Sequence, residues 1–220
     1  MRRPLSRSAL PGPIYAIADA DALAPLPVAG AVAEMAAAGV RWIQVRAKRW
    51  SGRQWHEAVA ACCRALEGSG AALWLDDRAD LAALLPVAGV HLGQSDLPPA
   101  AARRVIGAER WIGQSTHDAR QLVAADADPE VDLIAFGPIF PTTGKERPDP
   151  VVGLELLRRV RAATAKPLVA IGGIDAAGVA AVLAAGADAA VVLGAACRGD
   201  VRANCRRLLA AAGMAACASS

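Results

Sequence analysis

No apolar run in this sequence approaches the ~20 residues that a membrane-spanning helix requires. Hydrophobic residues nonetheless fill 55% of its 220 positions, much of that content being alanine. Cysteine is sparse and odd in number, five in all with no Cys-x-x-Cys pair. That argues against a disulfide framework or a zinc site; Cys62 and Cys63 read as packing residues of a helix. A net charge of +3 is too small to imply nucleic acid. The one notable basic cluster, Arg46, Lys48, Arg49 and Arg53 with Trp50 and Trp55 between them, reads on composition as a solvated loop and helix start. No Gly-x-Gly-x-x-Gly follows the first strand, and no low-complexity linker divides the chain.

What is present begins with a basic start, Met1-Arg2-Arg3-Pro4-Leu5-Ser6-Arg7. Pro11, Pro13, Asp19 and Asp21 interrupt any export-type apolar region. We therefore expect a flexible leader over 1–12, one barrel domain over 13–213 and a tail over 214–220, on a cytoplasmic protein. A chain of this length supports one domain with a substantial core.

Short β-type runs occur at Ile14–Ala18, Trp42–Val45, Ala72–Leu75, Val90–Leu92, Trp111–Gly113, Leu133–Phe136, Leu168–Ile171 and Ala189–Leu193. Most are apolar on both faces, as buried parallel strands are. Helical patterns separate them. Ser51-Gly52-Arg53-Gln54 is a capping box, followed by Trp55, Val59, Cys62 and Leu66 on one face. Gly39, Gly89 and Gly186 recur at helix-to-strand junctions, where glycine supplies a left-handed stop. Eight strands and eight helices in βα order indicate a (β/α)8 TIM barrel, with an open doubly wound sheet as runner-up.

In a barrel, all strand ends share one face, and the charged residues lie at strand ends. Arg46 and Lys48 close the second strand, two apart and so on one side of it. Asp76 and Asp77 close the third, Asp96 follows the fourth, and Ser115 and His117 end the fifth. Lys145 sits in the long loop after the sixth. Carboxylates that hold Mg²⁺, with Arg and Lys on the remaining charge, suit a metal-bound polyphosphate. Asp77 and Asp96 also read singly as helix N-caps, and Asp76 as outward-facing or behind the metal ligands. His117 reads equally as acid/base or as a packed residue, His91 as structural. Gly172-Gly173 after strand seven and Gly194 after strand eight let backbone N–H groups approach a phosphate.

These segments resemble the thiamine phosphate synthase family. The carriers are Gln44-Val45-Arg46-Ala47-Lys48, Asp77-Arg78-Ala79-Asp80-Leu81-Ala82 and Gly89-Val90-His91-Leu92-Gly93-Gln94-Ser95-Asp96. Gly113-Gln114-Ser115-Thr116-His117, Gly137-Pro138-Ile139-Phe140-Pro141-Thr142 with Lys145, and Ala170-Ile171-Gly172-Gly173-Ile174 continue the series. The resemblance implies a (β/α)8 transferase that joins hydroxymethylpyrimidine diphosphate to a thiazole phosphate. It implies Mg²⁺ on Asp77 and Asp96. Gln44, Arg46, Lys48, Ser115 and Lys145 fall on the pyrimidine diphosphate contacts, with Arg46, Lys48, Ser115 and Lys145 acting in catalysis. Thr142, Thr143, Gly144, Gly173, Leu193 and Gly194 fall on the thiazole phosphate site.

Three positions depart from the family pattern: Asp76 stands where Asn is usual, beside the diphosphate; Gly144 where Thr is common; and Gly194 where Ser is common. The competing readings are a thiazole tautomerase using His117 and a non-catalytic thiazole phosphate sensor. The implied partners are small phosphorylated molecules, neither nucleic acid nor membrane, with a homo-oligomer left open.

Overall fold

Runs apolar on both faces can be satisfied only when both faces are covered, and a barrel ringed by helices does this. In the computed structural model, which describes residues 5–142 and 149–214, they form eight parallel strands. These are β1 (Ile14–Asp19), β2 (Trp42–Arg46), β3 (Ala72–Asp76), β4 (Gly89–Leu92), β5 (Trp111–Thr116), β6 (Leu133–Phe136), β7 (Leu168–Ile171) and β8 (Ala189–Val192). They pair in sequence order and close, β8 against β1. The (β/α)8 barrel is therefore the fold, and the open sheet is excluded. Strand β5 runs on through Ser115 to Thr116, which brings Ser115 to the strand-end face.

The helices are α1 (Ala20–Leu23), α2 (Val28–Ala37), α3 (Gly52–Ala65), α4 (Ala79–Leu84), α5 (Pro99–Ile106), α6 (Ala119–Ala127), α7 (Gly153–Ala162), α8 (Ala176–Ala184), α9 (Gly194–Cys197) and α10 (Val201–Ala211). Two more α-helices appear among the described residues than the sequence reading expects, because the first and last connections each carry an extra short turn. Asp19 produces the first of them: its side chain accepts from the N–H groups of Asp21 and Ala22 at 3.1 and 2.9 Å and so starts α1. The capping box of α3 forms as read, with Ser51 and Gln54 satisfying each other's backbone N–H groups. Trp55, Val59 and Cys62 turn to the core. Among the described residues no helix is long and apolar enough to cross a membrane.

Inward-pointing side chains fill the lower barrel with aromatics. Tyr15 stacks on Trp42 at 4.2 Å between centroids, Trp74 stands edge-on to Tyr15, and Trp111 stacks on Trp74. Such rings each bury a large area, so the floor is dense. Leu5 closes it from below, and Arg7 pairs with Asp188. Gly39 and Gly186 adopt the expected positive φ, but Gly89 does not act as a helix stop. It lies within β4, where a Cβ would come within 2.5 Å of the Trp111 carbonyl and 3.1 Å of the Trp74 indole. The Trp111 backbone carbonyl on the neighbouring strand, with the Trp74 indole behind it, and not a helix terminus, is what requires glycine there.

Candidate active site

A cavity of about 1140 Å³ opens at the C-terminal ends of the strands. It is lined by Gln44, Arg46, Lys48, Asp76, Asp77, Asp96 and Ser115 on one side. Thr142, Gly173, Leu193 and Gly194 line the other. Every candidate that the structure describes therefore reaches one cavity. Thr143, Gly144 and Lys145 lie outside the described residues.

The cluster of charge at β1 to β4 is built by register. Asp19 and Arg46 are directly opposed across the β1–β2 pair, and Arg46 Nη1 donates to Asp19 Oδ2. Arg46 Nε also stands 3.4 Å from Asp76 Oδ2. Lys48 reaches the same oxygen at 2.9 Å and donates to Asp77 Oδ2 as well. The two-residue spacing of Arg46 and Lys48 does bring both onto one side of β2, converging on Asp76. Asp76 is not outward-facing: its side chain, 12% exposed, lines the cavity.

Neither Asp77 nor Asp96 caps a helix. Helix α4 starts after Arg78 and α5 after Pro98, both without a side-chain cap. Asp77 instead holds φ at 63°, a left-handed conformation uncommon for a residue with a Cβ and often found where a site imposes it. Asp96 Oδ2 accepts from the N–H of Gly93 at 2.7 Å. Burial, then the Asp77 carboxylate at its side, push the Asp96 carboxyl above its ordinary range. Burial likewise raises Asp76, against the pull of Lys48 and Arg46. For the Lys48 ammonium, burial works downward, but Asp76 and Asp77 together reverse it and hold its pKa above the usual value.

At the ends of β1 to β4, four carboxylates thus face two cations, Arg46 and Lys48, among the described residues. The surplus is two negative charges, and Asp77 with Asp96 is the pair left short of countercharge. A divalent cation fits it. Magnesium is commonly held by one or two carboxylates, completed by substrate phosphate and water. The described residues contain no group of three or more His, Cys, Asp or Glu arranged to hold a metal unaided.

Three further residues complete this half, and the sequence reading missed their part. Gln44 Nε2 donates to Tyr15 Oη at 2.7 Å, deep in the cavity. Burial holds that phenol well above its ordinary pKa, so it stays protonated. His91, read as structural, places its Nε2 3.0 Å from the Ser115 hydroxyl and lines the cavity. Gly113 makes room for it, since a Cβ there would meet His91 Nδ1 at 2.4 Å. Asp19 fixes Arg46, a pairing visible only once the β1–β2 register is known.

On the opposite side, Gly172 and Gly173 have φ of 100° and 66°. A Cβ on Gly173 would come within 2.4 Å of the Pro141 carbonyl. The glycines are required because the segment after β6 folds down onto them, and not only for backbone access to a phosphate. His117 lies where this segment begins: its Nδ1 is 2.8 Å from the Gly137 carbonyl, which can only accept, so Nδ1 carries the proton. Asp149 Oδ2 stands 3.6 Å away. Gly194 is different. Its φ is not left-handed, and a Cβ would touch only the Arg198 guanidinium at 3.8 Å.

Cations, carboxylates and glycine turns thus meet in one cavity of a chain that has known relatives. The family model described as thiamine monophosphate synthase matches residues 14–196. The chain belongs to the thiamine monophosphate synthase family. A thiamine-phosphate synthase of Koribacter versatilis is 46% identical over 184 residues, covering 82% of this chain and 86% of its own. One from Myxococcus xanthus is 38% identical over 210 residues and 94% of each chain. The solved thiamine phosphate pyrophosphorylase of Pyrococcus furiosus superposes with a TM-score of 0.82 at 29% identity, over 91% of this chain and 95% of that one. Family membership agrees with the resemblance carried by the strand-end motifs.

Proposed function

We propose that this chain joins hydroxymethylpyrimidine diphosphate to a thiazole phosphate, yielding thiamine phosphate and diphosphate, with the β2–β4 strand ends holding the leaving group. The observation that carries this reading is the convergence of Arg46 and Lys48 on Asp76, beside the under-compensated pair Asp77 and Asp96. A diphosphate with a divalent cation completes such a cluster. The tautomerase and sensor readings leave it without a task, and the curated relatives described above carry the synthase name.

The side chains act on charge. As the C–O bond to diphosphate breaks, negative charge grows on the leaving oxygens and positive charge on the pyrimidine methylene. Arg46 and Lys48 are fixed in advance by carboxylates, so they meet the new charge without reorganising, which is where electrostatic catalysis gains most. Magnesium held by Asp77 and Asp96 would supply further charge stabilisation to the departing diphosphate. With His91 donating from Nε2, Ser115 keeps its hydroxyl proton for a phosphate oxygen. Gln44, anchored by Tyr15, offers the pyrimidine an oriented amide. The thiazole nitrogen then attacks the methylene, and no nucleophilic side chain is needed. Lys145 is assigned to the same leaving group, and Thr142, Thr143, Gly144, Gly173, Leu193 and Gly194 to the thiazole phosphate. A cytoplasmic setting accords with Cys62, Cys63, Cys197 and Cys205 being free thiols.

Incubating the protein with both substrates and Mg²⁺ and following thiamine phosphate and diphosphate tests this reading. Equimolar appearance of the two products is expected; neither product forming would refute it.

A further inference from the structure

We propose that Arg198 is a phosphate ligand of the thiazole side of the cavity, occupying the role left by the missing hydroxyl at Gly194. The inference rests on the synthase reading above. It starts from Gly194, which stands where the family pattern set out above commonly has serine. The direction a Cβ would take there meets only the Arg198 guanidinium, with Cζ at 3.8 Å and Nε at 3.9 Å. The cation therefore stands over the position vacated by the hydroxyl, and both residues line the cavity.

The charge of Arg198 is also uncommitted. Among the described cavity residues, Arg46 is held by Asp19 and Asp76, and Lys48 by Asp76 and Asp77. Among the described residues the Arg198 side chain has no hydrogen-bond or ion-pair partner, and it is exposed. The nearest acids in sequence are engaged elsewhere: Asp200 accepts from Ala203 N–H at 2.9 Å as the cap of α10, and Asp188 pairs with Arg7 and Arg161. Asp175, which lines the same cavity, accepts from Gly178 N–H at 3.0 Å as the cap of α8. Its backbone, by contrast, is pinned. Buried Asn204 donates from Nδ2 to the Arg198 carbonyl at 2.7 Å, and Arg198 N–H bonds to the Gly194 carbonyl at 3.3 Å. A fixed backbone with a free guanidinium suits a group that waits for an anion. Arginine can bond a phosphate through two parallel N–H groups, more than one serine hydroxyl can give.

The test varies the thiazole phosphate at saturating pyrimidine diphosphate in Arg198→Ala and Arg198→Lys. In Arg198→Ala the thiazole phosphate KM should rise roughly tenfold or more, the loss expected for one charge-assisted hydrogen bond. The pyrimidine diphosphate KM should stay within about twofold. Arg198→Lys should recover part of the loss. With the unphosphorylated thiazole alcohol, wild type and Arg198→Ala should have equal kcat/KM, because the group that Arg198 binds is gone. A merely structural role would lower both substrates alike and depress Tm. An unchanged thiazole phosphate KM in a variant that turns over would overturn the proposal while leaving the synthase reading intact. Should wild type give no product, the synthase reading fails separately. Titration of inorganic phosphate into wild type and Arg198→Ala then decides the ligand role: weaker binding in the variant supports it, and equal binding overturns it.

Discussion

Lys48 Nζ stands 2.9 Å from Asp76 Oδ2 while the same ammonium donates to Asp77. One cation thereby tethers both carboxylates at the end of β3, and Asp76 shares that oxygen with Arg46 at 3.4 Å. In relatives with an asparagine at this position, the two cations would face the diphosphate with one acid fewer. The departure at Asp76 is thus an electrostatic matter before it is a steric one.

Asp76→Asn should tighten the pyrimidine diphosphate, lowering its KM by roughly three- to tenfold, about the worth of one hydrogen bond made to a charged group. It should also raise Tm of the ligand-free protein at neutral pH. The sign follows from the raised Asp76 carboxyl, for which burial outweighs the neighbouring cations. A raised carboxyl favours the fold below its unfolded value and loses that advantage as pH climbs through the folded value. The Tm gap between variant and wild type should therefore open as pH rises from about 4. A Tm gap that does not change with pH would contradict this account of Asp76.

Asp77→Asn and Asp96→Asn should each reduce kcat at limiting Mg²⁺ by about a hundredfold or more, roughly 2.7 kcal/mol of barrier. Neither residue caps a helix, so the fold should persist. Asparagine is the suitable replacement at 77, since it tolerates the left-handed φ that alanine resists. Circular dichroism checks the fold and initial rates the chemistry. Wild-type rates in both variants would remove the metal assignment.

Lys145→Ala should slow the chemical step about tenfold or more while binding changes less, because the charge it faces grows as the C–O bond breaks. Single-turnover rates measured at saturating substrate separate the two. Rates matching wild type would make Lys145 a surface charge.

In an Arg198→Ala background, where the guanidinium no longer fills that role, Gly194→Ser should lower the thiazole phosphate KM by roughly three- to tenfold through one added hydrogen bond. The backbone there accepts a side chain: φ is not left-handed and the nearest contact is an ordinary 3.8 Å. The pyrimidine diphosphate KM should hold steady, its assigned contacts coming from strands two to six. Unaltered thiazole phosphate affinity at unaltered Tm would show that the missing hydroxyl is not limiting.

The strands were readable because a parallel barrel strand must be apolar on both faces, and Ile14–Asp19 or Leu168–Ile171 has no other plausible burial. The charged candidates were readable as well, because all eight strand C-termini in this fold surround the same opening. What local pattern could not give was partnership. Asp77 and Asp96 look like helix caps until the helices are seen to start later, at Ala79 and Pro99. Asp19 meets Arg46 only through the β1–β2 register, and His91 meets Ser115 only across the neighbouring strand. Gly89 carries the same Ala-Gly signature as Gly39, yet its need comes from the Trp111 carbonyl on the neighbouring strand and the Trp74 indole beside it. Arg198 is the extreme case: nothing in its own surroundings in sequence distinguishes it, and only the direction of an absent Cβ on Gly194 points to it.

The most direct test of the central claim is the initial rate of thiamine phosphate formation in wild type as Mg²⁺ is titrated into enzyme stripped with EDTA. Four carboxylates sharing two cations, with Asp77 dividing Lys48 with Asp76, require that the rate be near zero without the ion and rise saturably with it. Full turnover in EDTA would contradict the assignment of Asp77 and Asp96, and with it the account of how this site holds its leaving group.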